Sequence, residues 1–266
     1  MHRVDLNCDL GEGCADEAEL MPLVTSANVA CGGHAGDEAT MGASVALALR
    51  HGVAIGAHPG FADREHFGRR ELRVTVGEVH ELVLTQTRRL QAIARAQHAV
   101  LRHLKPHGAL YNQAARDPVL AGAVVDAVVE LGAGLVLFAP AGSVLLAAAG
   151  QKGLPVASEV FADRTYQPDG SLTSRTRPEA LIVDERVAVA QVLRLVREGK
   201  VRSIEGTEVA LTADTVCVHG DGPHALGLVR ALRRELARAG IAVRAPLAGV
   251  ILLANILLMT FCAFRF

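Results

Sequence analysis

The chain has 266 residues, of which 50% are hydrophobic and 21% charged, and its formal net charge is -1. This composition supplies a large aliphatic core, excludes intrinsic disorder, and lacks the basic surplus that nucleic-acid binding requires. Aromatic residues make up 3% and tryptophan is absent, which argues against an aromatic platform for sugars or nucleobases. The length suits one α/β barrel, which typically takes about 250 residues. We therefore expect a single barrel domain with a small-molecule partner.

Short apolar runs alternate along the chain with longer segments of helical spacing, an order typical of β/α units. The apolar runs predict seven parallel strands, at residues 4–8, 26–30, 53–57, 101–105, 135–138, 156–160 and 216–218. The longer segments predict outer helices at residues 37–50, 77–97, 118–131, 142–150, 185–198 and 223–238. Together these elements predict an α/β fold, a TIM-like (β/α) barrel of about seven parallel strands, as one catalytic domain over residues 1–246.

Two segments have turn chemistry and many polar groups instead of a periodic apolar face. Residues 59–73 are rich in charge, and residues 163–178 contain the turn sequence Gln167-Pro168-Asp169-Gly170. We expect both segments to be ordered loops over the site.

The end of the chain, residues 247–266, departs from this pattern as an apolar tail. Residues 247–264 are interrupted only by Asn255 and Thr260, and their length of about 18 is the lower edge for a bilayer span. The arginines between 233 and 244 would suit a cytoplasmic flank. A membrane anchor, a final helix packed on the barrel or in a subunit interface, and an irregular terminus all stay open. Membrane contact is expected only if the tail inserts.

The cysteine pattern bears on the compartment. There are five cysteines, an odd number without a CxxC pair, which fits a reducing compartment better than a disulfide framework. The first predicted strand begins almost at Met1, leaving no room for a secretory segment. We expect a cytoplasmic protein.

Polar and titratable side chains follow nearly every predicted strand at its carboxyl end, where barrels build their active sites. In chain order these are Asp5, Asn7, Asp9, Glu12, Asn28, Cys31, His34, His58, His103, Lys105, His107, Glu159, Asp163, Arg164, His219 and Asp221. Because the carboxyl ends of parallel strands share one edge, we expect these groups to converge on one mouth.

Strand alternation sorts the first group. Asp5, Asn7 and Asp9 share one face, which in a barrel is the interior. Buried carboxylates are costly unless a cation satisfies them, so a metal, Lys105 or an arginine is expected opposite. A lysine in a partly desolvated mouth can also bind an anion or act as an acid.

Three residues are candidates for a divalent metal site of mixed nitrogen and oxygen ligands, namely Asp9, His34 and His58. Direct roles in substrate binding or proton transfer are the alternative, and no HExxH spacing supports a metal. Cys31 precedes Gly32-Gly33-His34 and could be a nucleophile, although a small buried residue is the simpler interpretation. The chain lacks GxxxxGK[ST], GxGxxG and GxSxG motifs, so P-loop, dinucleotide and α/β-hydrolase assignments have no support.

Six long motifs occur in the order found in one known family. They are DLNCDLGE from Asp5, SANVACGGHAGD from Ser26, GAHPG from Gly56, KPHGALYN from Lys105, SEVFADR from Ser158 with Tyr166, and CVHGD from Cys217. Over about residues 3 to 246 the chain resembles the LamB/YcsF family, the A subunits of 5-oxoprolinase. Gly33 departs from the family pattern CGFHAGD, which has an aromatic residue there, and the apolar tail departs as well.

The resemblance implies a barrel related to the glycoside hydrolase/deacetylase group. It implies ATP-dependent hydrolytic opening of the lactam of 5-oxo-L-proline to L-glutamate, in concert with subunits B and C. ATP would be a cosubstrate, with Mg²⁺ as its divalent ion. Phosphorylation of the amide oxygen before attack by water would account for the ATP. Two alternatives stay open: a stand-alone metal-dependent amide or deacetylase-type hydrolase, and a non-catalytic substrate-binding subunit.

The matched motifs also carry expected residue roles. Catalytic roles fall to Asp9, His34, His58 and Lys105. Substrate binding falls to Asn7, Glu12, Asn28, His107, Glu159, Asp163, Arg164, Tyr166, His219 and Asp221. We expect Lys105 or Arg164 to pair with the substrate carboxylate or phosphate, and Asp9 and His58 to polarise or deprotonate, with His34 orienting them.

Overall fold

The computed structural model describes residues 2–132, 134–219 and 225–246. The strands within these residues are β1 (Arg3–Leu10), β2 (Ser26–Ala30), β3 (Ala54–His58), β4 (His103–Leu104), β5 (Val136–Pro140), β6 (Val156–Phe161), β7 (Lys200–Arg202), β8 (Glu208–Ala210), β9 (Thr215–Val218) and β10 (Ala242–Val243). The α-helices are α1 (Glu17–Leu20), α2 (Glu38–His51), α3 (Val76–Ala96), α4 (Gly108–Arg116), α5 (Pro118–Leu131), α6 (Val144–Gln151), α7 (Glu185–Glu198) and α8 (Ala225–Arg238).

Seven parallel strands close into a barrel in the order β1-β2-β3-β4-β5-β6-β9, because β9 pairs with both β6 and β1. This confirms the predicted TIM-like barrel, and each of the seven predicted strands overlaps an observed one. The register sets Asp9 beside Asn28, Asn28 beside Gly56, and Gly56 beside His103. Strand β10 adds to the start of β1, outside the closed ring.

Alternation along the strands separates an apolar exterior from a mostly polar interior. On β1, Leu6, Cys8 and Leu10 are fully buried in the main hydrophobic core, under the helices. The interior holds a small separate apolar cluster around Phe138, whose ring stacks on His103 at 4.3 Å between centroids. The main hydrophobic core, which is largely aliphatic in this chain, therefore forms the layer between the barrel and the helices.

The helices begin and end where local chemistry favours it. Thr75 forms a capping box at the start of α3, and the Asp117 carboxylate accepts from Val119 N at the start of α5, where Pro118 needs no amide partner. Gly52 ends α2 in the left-handed conformation (φ 66°). Observed helices agree with the predicted ones to within about two residues, except that residues 223 and 224 lie outside the described part.

Some elements were not predicted. Helix α4 follows directly after β4, strands β7 and β8 form a small antiparallel hairpin, and β10 is a two-residue strand. The two expected loops are ordered: Arg64–His66 is a 3₁₀ turn, and bridges join Arg164 to Leu181 and Tyr166 to Leu172.

Among the residues that the structure describes, no helix combines the length and apolarity needed to cross a bilayer. The apolar tail at residues 247–264 lies outside the described residues.

Candidate active site

A cavity of about 820 Å³ opens at the carboxyl ends of the barrel strands. Its floor includes Asp9 on β1, Glu12 after β1, His58 on β3, Lys105 after β4 and Glu159 on β6. The two loops that follow β3 and β6 line its sides and rim. The cavity size is within the usual range of small-molecule sites.

Lys105 is the centre of charge on the cavity floor and is only 3% exposed. Its Nζ lies 2.9 Å from Asp9 Oδ1, 3.1 Å from Glu159 Oε1 and 3.1 Å from Cys217 Sγ. Burial would lower the pKa of Lys105, but Asp9, Cys217 and Glu159 raise it well above its usual range. The predicted cation opposite the interior carboxylates is therefore this lysine, held as a fixed positive charge.

Asp9 is fixed from several sides. Asn28 Nδ2 donates to its Oδ1 at 2.8 Å, and its Oδ2 lies 3.4 Å from His58 Nε2. Burial alone would raise the pKa of Asp9, but His58 and Lys105 hold it well below its usual range. Asp9 is therefore a carboxylate facing the cavity.

Glu159 is fixed in the same way. Asn7 Nδ2 donates to Glu159 Oε1 at 2.9 Å, and the Tyr111 hydroxyl donates to Oε2. Tyr111 is buried, and the pKa of its hydroxyl is raised well above the usual range by burial and by Glu159. It therefore acts as a hydrogen-bond donor that keeps Glu159 beside Lys105.

Two histidine rings are oriented by backbone carbonyls. His58 Nδ1–H donates to the Lys105 carbonyl at 2.7 Å, and His107 Nε2–H donates to the Phe67 carbonyl at 2.9 Å. Their other nitrogens face each other at 2.9 Å. Burial would lower the pKa of His58, but Asp9 raises it, whereas burial and the neighbouring His58 hold the pKa of His107 well below its usual range.

The loop after β3 makes this arrangement possible. Phe67 has φ 54°, which is unusual for a residue with a side chain, and this conformation is found where its carbonyl meets His107. A Cβ on Gly60 would lie 2.8 Å from His34 Nδ1, and one on Gly68 (φ 62°) would lie 2.7 Å from His34 Cβ. Glycines at these two positions let the backbone lie directly on the histidines.

His34 lies behind the cavity wall and does not line the cavity. Its ring stacks on His107 at 3.5 Å between centroids, and its Nε2 lies 2.8 Å from Glu12 Oε1. Burial lowers the pKa of His34, although Glu12 opposes this. His34 is placed to hold Glu12 in position.

A second group lies at one side of the mouth. His219 Nδ1 is 2.8 Å from Asp163 Oδ2. Burial alone would raise the pKa of Asp163, but His219 holds it below its usual value. Arg164 is 5% exposed and donates to the carbonyls of Thr173 and Ala180. Burial lowers the pKa of Arg164 to about 10, a value at which it is still cationic near neutral pH. The Tyr166 hydroxyl accepts from the Phe161 amide under the same loop.

The expected site residues therefore fall into sets. The cavity lining includes Asp9, Glu12, His58, Lys105, His107, Glu159, Arg164, Tyr166 and His219. Asn7 and Asn28 lie one layer lower and bind Glu159 and Asp9 from below. Asp163 supports His219, and Asp221 lies outside the described residues. Asp5 lies lower still, where Thr25, Ser26 and Thr215 donate to it.

Two neighbours of Lys105 were not singled out as site residues from sequence, Tyr111 and Cys217. Both lie within the quoted motifs, which could have identified them as candidates. They were passed over because apolar residues stand next to them in the sequence. Cys31 is the reverse case: its thiol donates to the Val29 carbonyl at 3.2 Å, and burial raises its pKa to about 12. The structure therefore fits the simpler interpretation of Cys31 as a small buried residue.

The space beside Gly33 is filled by α3. A Cβ on Gly33 would lie 2.5 Å from Gln86 Nε2 and 2.5 Å from the Gly60 carbonyl oxygen. The Gln86 amide donates to the Gly60 carbonyl at 2.7 Å and accepts from the Gly60 amide at 3.0 Å. In this chain the Gln86 side chain therefore fills the space beside Gly33 and holds the loop after β3, which covers His34, through two hydrogen bonds to Gly60.

The closed parallel barrel with an ionised, polar mouth defines a TIM-like barrel protein with a candidate active site at the carboxyl ends of its strands. The LamB/YcsF family profile matches residues 4–251 of the chain. The chain belongs to the LamB/YcsF family.

Similar proteins agree with this assignment. The chain is 52% identical over 250 residues to the 5-oxoprolinase A subunit of Shouchella clausii (strain KSM-K16), covering 92% of this chain and 99% of the relative. A crystal structure of the lactam utilization protein from Thermus thermophilus superposes with a TM-score of 0.86 at 44% identity, covering 92% of this chain and all of that one.

Proposed function

We propose that this chain is the A subunit of a multi-subunit 5-oxoprolinase, which opens the lactam of 5-oxo-L-proline to L-glutamate with ATP as cosubstrate. The two relatives support this proposal, since one is named as part of a 5-oxoprolinase and the other as a lactam utilization protein. The observation that carries it is the buried Asp9–Lys105–Glu159 group beside His58 on the floor of the cavity. Subunits B and C are the proposed partners.

The substrate offers a carboxylate and a cyclic amide, and the cavity has a separate group for each. Lys105 is already within 3.1 Å of two carboxylates. Arg164 donates to two backbone carbonyls, and no carboxylate of a described residue lies within ion-pair distance of it. Arg164 is therefore the better partner for the substrate carboxylate, and Lys105 the anchor of the reacting end.

A five-membered lactam is a resistant amide. Phosphorylation of its oxygen by ATP, with release of ADP, makes the ring carbon electrophilic. Water adds to that carbon, the ring C–N bond breaks to give a γ-glutamyl phosphate, and a second water releases phosphate and L-glutamate. Asp9 Oδ2 and His58 Nε2 line the cavity 3.4 Å apart, within reach of a water molecule that attacks that carbon. The low pKa of Asp9 keeps it negatively charged, which orients that water. As the water oxygen bonds to the ring carbon, its proton passes to Asp9 Oδ2 or to His58 Nε2. Lys105 lies within 3.1 Å of both carboxylates and is their shared counter-charge.

The proposal is tested by reconstitution. The purified chain is mixed with subunits B and C, and glutamate formation from 5-oxo-L-proline is measured with and without ATP and with each protein omitted. We expect turnover only when all three proteins and ATP are present. Turnover by the chain alone without ATP would contradict the proposal and favour a stand-alone amide hydrolase. Full turnover by B and C without this chain would contradict it as well.

A further inference from the structure

Three side chains direct one donor atom each into the same small space on the cavity floor. His58 Nε2 lies 2.9 Å from His107 Nδ1, and Glu12 Oε1 lies 3.7 Å and 3.4 Å from these two nitrogens. With His34 they form a set whose donor atoms all lie within 4.8 Å of one another. Two imidazoles and a carboxylate are a donor set that zinc and related transition metals take.

The hydrogen bonds of the two rings show which nitrogen of each ring carries its hydrogen. A carbonyl can only accept, so the bonds to the Lys105 and Phe67 carbonyls place the ring hydrogens on His58 Nδ1 and His107 Nε2. When both rings are neutral, they present lone pairs at His58 Nε2 and His107 Nδ1, facing each other and a carboxylate oxygen. A proton would satisfy one such pair, whereas a divalent cation satisfies all three atoms at once.

The outer contacts match those of metal ligands. In most metal-binding histidines, the ring nitrogen that does not bind the metal donates a hydrogen bond to a carbonyl or carboxylate, which fixes the ring and its tautomer. Both histidines donate such a bond here. Glu12 has its own outer partner, His34, whose Nε2–H donates to Oε1 at 2.8 Å. His34 is thus a positioning residue for Glu12.

The three donors are also accessible from the cavity. Glu12, His58 and His107 line it, whereas His34 does not. A cation held by three protein ligands beside an open cavity keeps coordination positions for a ligand, which distinguishes catalytic from closed structural sites.

We propose that Glu12, His58 and His107 bind one divalent transition-metal ion of the zinc class at the cavity floor. When bound, such an ion would polarise a carbonyl or hold an anionic group. His58 Nε2 is then a ligand, and Asp9 Oδ2, 3.4 Å away, remains as the proton acceptor. The binding of the ion does not depend on the function proposed above; only its use in ring opening rests on that function.

The first test measures zinc binding to the full chain after treatment with EDTA, by titration calorimetry and metal analysis. We expect about one ion per wild-type chain, with affinity lowered by more than about 100-fold in Glu12→Gln and in His107→Ala. His34→Ala should lose about 10- to 100-fold, as for an outer-shell partner. The control is His80→Ala, because His80 lies on α3 and pairs with Glu130 at 3.4 Å; it should bind as the wild type does.

Circular dichroism in EDTA shows which variants fold without metal. A single folded ligand variant, Glu12→Gln or His107→Ala, is enough for the comparison of zinc affinity with the wild type. Bound zinc should also raise the Tm of the wild type, and this rise should be absent in the ligand variants. A wild-type chain that binds no zinc, or a folded His107→Ala chain that binds it as tightly as the wild type, would overturn the proposal.

The absorption spectrum of the Co²⁺-loaded chain locates the ion. A second group of potential ligands, Asp9, Cys217 and His219, contains a thiol. We expect weak visible bands without a thiolate-to-cobalt charge-transfer band, because the proposed ligands contain no sulfur. A strong charge-transfer band would place the ion at Cys217 and overturn the assignment.

The metal and the ring-opening proposals fail separately. Full ring opening by a complex that holds no transition metal, with Mg²⁺ and ATP supplied, overturns the metal site alone. Stoichiometric zinc binding by a chain whose complex forms no glutamate supports the metal site and contradicts the function.

Discussion

Lys105 shows how one residue makes an ionised barrel interior stable. Its ammonium lies between Asp9 and Glu159, and each of these carboxylates also accepts from an asparagine amide below it. Buried charges are tolerated only when they are paired and hydrogen-bonded, and this arrangement meets both conditions.

The Lys105→Met substitution keeps the bulk of the side chain and removes its charge. Two buried carboxylates then lose their shared cation, and we expect the free energy of unfolding to fall by about 3–5 kcal/mol. Urea denaturation measures this. The matched control is Lys152→Met, because Lys152 pairs with Asp126 at the surface, 3.0 Å apart, and should cost no more than about 1 kcal/mol. Equal losses in the two variants would contradict the role of Lys105.

Asp5 at the lower end of the barrel interior behaves differently, because hydroxyl groups and not a cation surround it. Burial raises its pKa to about 6 from 3.8, although bonds from Thr215, Thr25 and Ser26 oppose the rise. The folded state therefore binds a proton more tightly than the unfolded state. Stability from this group is fully present below about pH 4, falls as the pH rises from about 4 to 6, and is constant above that range.

This dependence predicts the effect of Asp5→Asn. The difference in unfolding free energy, wild type minus variant, should fall by up to about 3 kcal/mol between pH 4 and pH 7, since one pKa unit corresponds to about 1.4 kcal/mol. Denaturation at a series of pH values measures it, and groups common to both proteins cancel. Parallel pH profiles would show that Asp5 does not carry the raised pKa.

At the scale of elements, β3 and β4 approach closely because β3 carries a glycine. Gly56 is paired in register with His103, and a Cβ on Gly56 would overlap the His103 ring. His103 donates to Asn28 Oδ1 at 2.8 Å and stacks on Phe138, so it cannot move without disturbing the layer below Asp9.

We therefore predict opposite effects from two glycine-to-alanine changes. Gly56→Ala should destabilise the fold by about 3 kcal/mol, since it overpacks a buried position. Gly122→Ala lies within helix α5 with nothing within 4 Å of the added Cβ, and it should stabilise by about 0.5–1 kcal/mol. Thermal unfolding compares the two. Similar shifts of Tm in the same direction would contradict this account of the β3–β4 contact.

The elements also show what sequence patterns can and cannot predict. The seven barrel strands were predictable because each is a short buried run, apolar or alternating, that ends in polar residues. Helix α4 was not predicted because it has only nine residues and starts at Gly108, almost directly after β4. The β7–β8 hairpin was missed because its strands have three residues each and are mostly exposed. Alternation correctly assigned Asp5 to the interior but gave no information on its depth along the barrel axis.

At the scale of the whole molecule, barrel closure brings distant segments into contact. Lys105 lies 3.1 Å from Cys217, and Asn7 donates to Thr215 at 2.7 Å, because β9 returns to pair with β1. The sequence predicts that strand ends converge, since parallel strands share an edge. Which side chains touch depends on register and closure. The supporting role of Tyr111, and Glu12 as the partner of His34, therefore emerge only from the structure.

The central claim is that the cavity floor performs the ring opening, and Asp9 tests it most directly. In the reconstituted three-protein complex, Asp9→Asn keeps the side-chain shape but removes the charge beside His58. We predict a loss of kcat of about 100- to 10,000-fold. The control Asp126→Asn, on the surface of α5, should turn over at the wild-type rate. An assembled, folded complex carrying Asp9→Asn that forms glutamate at the wild-type rate would contradict the account.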